Sequence, residues 1–471
     1  MSLDGLLDSH DGLGLAALIR SGEITAPELL EAVIARIEAR NPQVNAVVHK
    51  LYDHAKAALA AGTPQGPFAG LPFLLKDLYT FRRGLPCGNG SRWLADYRAP
   101  FDDAMAARWD SAGLVVAGKT TTSEFGLNVV TETREHGPTR NPWNPEHSAG
   151  GSSGGAAAAV AAGMVPLAHA SDGGGSIRIP ASCCGLFGLK PSRGRNLTSD
   201  AWAGLSVFHA VTRSVRDSAA LLDAICGPPV YHPYALPKPE TPFLEAVGRD
   251  PGRLRIAWSV RRADDVPLHE DCRRAIEEAV KLAEKLGHVV EEADPPIDYP
   301  RLRQSMIAIV AANMADALSV GNPLRSKAAR RDEVETMSWR FAEAGARLPA
   351  PRYLRAQHSV RLIGDRLNAF LRDYDVLMTP TMAQPPPKLG TIDAMHDDFD
   401  GFNRAVQPYV TYTQPFNMSG QPAASLPLHW SETGLPIGVQ IAAAVGEEAR
   451  LFALAAQFEQ ACPWFDRRPP G

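Results

Sequence analysis

Cysteine is scarce in this chain: six in 471 residues, at 87, 183, 184, 226, 272 and 462. They form no C-x-x-C pair and no regular framework. Neither a disulfide scaffold nor a cysteine zinc site is expected, and the thiols read as reduced ones in a cytoplasmic protein. No apolar run is long enough to cross a bilayer; the Ala/Val stretch 156–165 is short and flanked by glycine. The opening MSLDGLLDSHDG lacks the basic and apolar regions of a secretion signal. A charge excess is missing too. With 48 basic and 52 acidic residues the formal net charge is -4, which offers nothing to nucleic acid or an anionic membrane. No repeat, linker or charge block divides the chain, so residues 1–471 read as one large unit. Metal-ligand spacing is absent, and neither a metal nor a cofactor is expected.

What the chain does have is serine set in glycine. The stretch from Gly150 to Arg195 reads GGSSGGAAAAVAAGMVPLAHASDGGGSIRIPASCCGLFGLKPSRGR. Ser152 follows Gly150-Gly151, and Ser176 follows Gly173-Gly174-Gly175. Glycine permits positive φ and clears side chains away, so that successive N–H groups can face one point and bind an anion. A hydroxyl beside such a nest has what acyl transfer needs: a nucleophile, with donors where the oxyanion forms. A serine nucleophile also needs a base. The histidines nearest in sequence are His136, His147, His169 and His209; none lies in a triad motif, and each reads as a core or surface residue.

Two tempting motifs fail on context. Gly113–Thr120, GLVVAGKT, matches the phosphate-loop pattern, but Leu114–Ala117 reads as a strand, and a paired strand has no free N–H groups for phosphate. Gly150–Gly154 matches the G-x-S-x-G nucleophile elbow. That elbow must follow a strand, whereas NPWNPEHSA (141–149) reads as a proline-broken loop.

GGSSGG, DGGGSIRIPAS and GLKPSRGR together resemble the signature of the amidase signature hydrolases. GLPFLLKD (70–77) resembles the family's lysine segment, and PFNMSGQPAASLP (415–427) and GLPIGVQI (434–441) extend the likeness over most of the chain. Within the family the chain is most similar to bacterial enzymes that open the cyclic dimer of 6-aminohexanoate. The resemblance implies a catalytic Lys76, Ser152 and Ser176. In that scheme Ser176 attacks, and Ser152, which follows a cis peptide after Gly151, relays its proton to Lys76. A lysine ending an apolar strand is otherwise more often a snorkelling surface residue. The N–H groups of Gly173, Gly174, Gly175 and Ser176 would hold the oxyanion, with Ser153, Asp172 and Arg178 bracing the loop. Family members usually carry a bulkier residue, often Thr, where this chain has Gly173.

The coarse reading interleaves strands and helices. Thr25-Ala26-Pro27-Glu28 starts a capped helix, and 254–292 reads strand–helix–strand with parallel pairing. The fold class is α/β, a large mixed sheet covered by helices. Residues 301–373 read as mostly helical, the least family-like part, and so as the part that shapes the substrate pocket. Phe125, Gly126 and the apolar residues Trp202, Leu205 and Phe208 of an expected Ala201–Phe208 loop are the candidate pocket residues.

Three functions stay open. One is a stand-alone hydrolase of small or oligomeric amides, as monomer or homodimer, whose acyl-enzyme chemistry extends to carbamates, anilides and aryl esters. Another is the glutaminase subunit of a tRNA-dependent amidotransferase. The third is an inactive binding protein, which the intact Lys76, Ser152 and Ser176 argue against.

Overall fold

The structure, a computed structural model, describes residues 3–196, 202–227, 234–320 and 327–470. Ala201 of the expected pocket loop and 321–326 of the helical region lie outside the described residues. An 11-stranded mixed sheet forms the frame. Across it the strands run Val47–Lys50, Leu114–Thr120, Leu71–Lys76, Leu167–Asp172, Val207–Thr212, Phe187–Lys190, Ala423–Trp430, Pro436–Ala442, Val376–Pro380, Arg255–Trp258 and Val289–Glu292. A contiguous apolar cluster reaches from Leu7 to Trp464. The parallel Arg255–Trp258 and Val289–Glu292 pair is joined by the helix Glu270–Lys285, as its periodicity predicts. Thr25 and Glu28 close the expected capping box on the helix Ala26–Val44.

Three strands set the position of the site. Leu71–Lys76 is buried at every residue and lies between Leu114–Thr120 and Leu167–Asp172, parallel to both. Burial on both faces is why LPFLLK reads as a continuous apolar run without alternation. Parallel strands end on one edge, so Lys76 and Asp172 emerge together at the carboxyl end of the sheet, where open α/β sheets bind ligands. Val207–Thr212 runs antiparallel and starts with Val207 opposite Asp172. The turn before it therefore overlies the same edge.

The phosphate-loop lookalike is a strand, Leu114–Thr120, buried throughout. Its Lys119 donates to the Thr80 carbonyl at 2.8 Å and lies 3.6 Å from Asp77, which fixes the chain just after Lys76. Two readings change. Residues 141–149 are not all loop: Arg140–Asn141 and Asn144–Ser148 pair as a small ribbon. The Ala201–Phe208 loop ends early, because Val207 and Phe208 belong to a strand. Helices Tyr299–Ala317, Thr336–Ala346 and Ala350–Phe370 make the region 301–373 mostly helical, as expected. Among the described residues no helix is long and apolar enough to cross a membrane.

Candidate active site

Lys76 ends its strand with a side chain that is 0% exposed. Its Nζ lies 2.7 Å from Ser152 Oγ and 3.0 Å from Ser171 Oγ. Burial disfavours the ammonium and drives the Lys76 pKa well below the usual lysine value, against a smaller opposing pull from Asp172. Two neutral hydroxyls, with no carboxylate in contact among the described residues, suit a neutral amine.

Ser152 is carried by the turn between the ribbon and the buried helix Gly154–Ala161. The Gly151–Ser152 peptide is cis. A Cβ on Gly151 would sit 2.8 Å from the backbone at Val129 and Val130, so only glycine lets this turn approach. Ser153 Oγ donates to the Ser171 carbonyl at 3.2 Å and ties the turn to the end of the neighbouring strand.

The second glycine bed follows Asp172. Gly175 has φ +135, and a Cβ there would meet Thr413 Oγ1 at 2.4 Å. The Asp172 carboxylate organises the bend: it accepts from Gly175 N at 2.7 Å and Ile177 N at 3.1 Å. Arg178 meets it in a two-pronged pair, Nε and Nη2 each at 2.9 Å. Asn417 Nδ2 donates to it as well. Burial alone would raise the Asp172 pKa, but Arg178 and Asn417 override it and hold it at about 2. Arg178 is fully buried and also donates to the Thr413 carbonyl and Gln440 Oε1. The oxyanion expectation narrows here. The Gly175 N–H is taken by Asp172, whereas no acceptor among the described residues receives the N–H of Gly173, Gly174 or Ser176.

Ser152 and Ser176 line one cavity of about 310 Å³ with Phe125, Gly126, Gly173, Trp202 and Phe208. Leu78, Tyr79, Ser171 and Ser206 complete it. Leu205 does not line it; it is 2% exposed and belongs to the apolar core. Phe208 is buried too, its ring 5.3 Å from His169, so it is a fixed wall and not an exposed loop aromatic. Among the described residues no histidine lines this cavity. His169 Nδ1 accepts from the Lys76 backbone at 3.3 Å, and burial drives its pKa well down. Burial also lowers His209 to about 3.

Sequence reasoning missed Ser171, Thr413, Asn417 and Gln440. Gln440 had a signal: it is the one polar side chain in PIGVQIA, a strand buried at every residue.

A family model described as Amidase matches residues 28–452. The chain belongs to the amidase family. It is 38% identical over 476 residues to 6-aminohexanoate-cyclic-dimer hydrolase of Pseudomonas sp. (strain NK87), covering 98% of this chain and 96% of that one. A solved structure of 6-aminohexanoate cyclic dimer hydrolase superposes with a TM-score of 0.94 at 37% identity, over 100% of this chain and 99% of that one. A bacterial aryl acylamidase of the amidase signature family superposes at 0.88 and 28% identity, over 98% of each chain. This amidase is therefore an amide-hydrolysing enzyme, with the mixed sheet of its structural relatives.

Proposed function

We propose that the chain cleaves the C–N bond of small or oligomeric amides through an acyl-enzyme on Ser176. The observation that carries this reading is the 2.7 Å approach of a buried, neutral-leaning Lys76 to Ser152, in the cavity that Ser176 also lines. Neutral Lys76 takes the Ser152 proton as Ser152 takes that of Ser176. Ser176 Oγ then attacks the carbonyl carbon. The N–H groups of Gly173, Gly174 and Ser176 receive the oxyanion; losing one such donor typically costs ~10²–10³ in rate. The proton returns through Ser152 to the leaving nitrogen, the C–N bond breaks, and water repeats the sequence on the ester. Carbamates, anilides and aryl esters present the same carbonyl to the same groups and belong to the proposed range. The apolar walls, Phe125, Trp202 and Phe208, favour alkyl or aryl substituents. The glutaminase alternative has weaker support: the solved chain of a glutamyl-tRNA(Gln) amidotransferase from Thermotoga maritima superposes at a TM-score of 0.74 and 27% identity.

The test is Ser176→Ala with fluorophosphonate labelling of the parent. Turnover of a chromogenic anilide should fall by about 10⁴-fold or more in a folded variant, as for loss of other serine nucleophiles. Peptide mapping should find the label on Ser176. Label on Ser152, or near-normal turnover by the variant, would reverse the assignment.

A further inference from the structure

Two cavities meet at one side chain. One, about 310 Å³, holds Ser152 and Ser176 and is termed inner; the other, about 460 Å³, is lined by neither serine and is termed outer; Trp202 lines both. Most of the outer wall is apolar: Met306, Ile307 and Val310 from helix Tyr299–Ala317, Phe341 from Thr336–Ala346, and Phe402; the amides of Asn403, Gln407 and Gln414 interrupt it. Arg303 also lines it, but its guanidinium lies 3.2 Å from the Asp265 carboxylate, so its charge already has a partner.

The indole is held in place by unusual backbone. Trp202, Ala203 and Gly204 have φ of 55, 54 and 76, three successive residues in the left-handed region. A bulky residue adopts that region at a cost and calls for a functional reason. The ring lies over the glycine bed. A Cβ added at Gly173 would meet Trp202 Cε3 at 2.8 Å and Cζ3 at 3.1 Å, and one at Gly174 would meet Cζ3 at 3.7 Å. The ring can occupy this place only because position 173 has no side chain.

Resting on the hydrolase reading above, we propose that Trp202 divides the site into two compartments. The inner one takes the scissile group. The outer one is a binding subsite for an extended apolar arm, alkyl or aryl, of the same substrate. Gly173 is the residue that admits the dividing ring, which gives its departure from the bulkier family residue a physical meaning.

The test uses two homologous series: 4-nitroanilides with acyl chains from acetyl to octanoyl, and acetamides with N-alkyl chains of the same lengths, read by amine release. Once the arm passes the ring, kcat/KM should rise roughly fourfold per added methylene in one of the series, the value of burying a CH₂. Which series responds tells which side of the scissile bond the arm occupies. Ile307→Trp, which fills the outer compartment, should flatten that rise. Gly173→Ala should alter the length profile as Trp202→Ala does and add little to it in the double variant, because both act by moving one ring. A flat profile in both series from an active enzyme would overturn the subsite. A Gly173→Ala loss as large in the Trp202→Ala background as alone would overturn the link between the two. Wild-type protein inert towards every member would overturn the hydrolase reading, and this proposal with it.

Discussion

Replacing Lys76 by Met keeps the length and apolar stem of the side chain and removes only the amine. If Lys76 is the terminal base, the amine works while neutral. Wild-type kcat/KM for an anilide should then rise with pH along a limb lying below lysine's ordinary ~10.4, because burial disfavours the charged form. Removing a positioned base typically costs ~10²–10⁴-fold, or about 3–5 kcal/mol at 1.36 kcal/mol per decade. The limb should vanish with it. An activated ester, whose leaving group needs no proton, should lose at least about tenfold less. Stability gives a second readout. Between the native Lys76 pKa and ~10.4 the unfolded chain holds a proton that the native state lacks, so stability climbs with pH by about 1.36 kcal/mol per unit of depression. Lys76→Met should lose that climb in a urea titration run at several pH values. A Lys76→Met variant that kept both the limb and the amide-to-ester ratio would refute the reasoning. So would a limb that disappears on replacing His169 or His209, whose pKa values burial has already driven down.

Three further outcomes follow from the buried carboxylates. Burial raises Glu124 to about 7, and its Oε2 accepts from Glu335 N at 2.7 Å and from Ser338 Oγ, which secures helix Thr336–Ala346 to the turn carrying Phe125 and Gly126. A raised carboxyl stabilises below ~4.5 and loses that contribution as pH climbs through its native value, and the buried Glu335 carboxyl beside it is raised too; Glu124→Gln should therefore flatten the decline in denaturant melts between pH 5 and 9, and an unchanged slope would contradict it. Asp172→Asn removes the one charge that pulls the Lys76 pKa upward, so the acidic limb of ester hydrolysis should move to lower pH, and a limb that stays or moves up would count against the coupling. The same change leaves Arg178 buried without its anion and should destabilise by about 3–5 kcal/mol, read as a lowered urea midpoint.

What the sequence made legible was local. Lys76 stood at the end of an apolar run, and the two serines stood in glycine because those turns need close approach or positive φ, requirements that glycine alone meets and so leaves visible in the letters. The α/β class and the 254–292 unit followed from hydrophobic period. The strand Phe187–Lys190 escaped notice because FGLK is four residues long and holds a glycine, too short for alternation to show. Leu205 was misplaced as a pocket residue and Phe208, which does line the cavity, as a loop residue. Glycine and serine around them suggest a loop, but antiparallel pairing of Val207–Thr212 with Leu167–Asp172 overrides that local preference at Phe208, while Leu205, in the turn before the strand, packs into the apolar core.

The residues that organise the glycine loop before Ser176 were hidden by distance along the chain. Thr413, Asn417 and Gln440 reach Arg178 and Asp172 from more than 230 positions away. Nothing near Ser176 specifies them, and they are individually ordinary polar residues. Their importance comes from a charge balance that only the folded chain sets up. Asp172 must stay ionised to hold the Gly175 and Ile177 N–H groups, yet a free carboxylate here would help to protonate Lys76. Arg178, held by the three distant partners, neutralises Asp172 in place. The glycine bed keeps its shape, and the lysine across the strand edge is left free to be neutral.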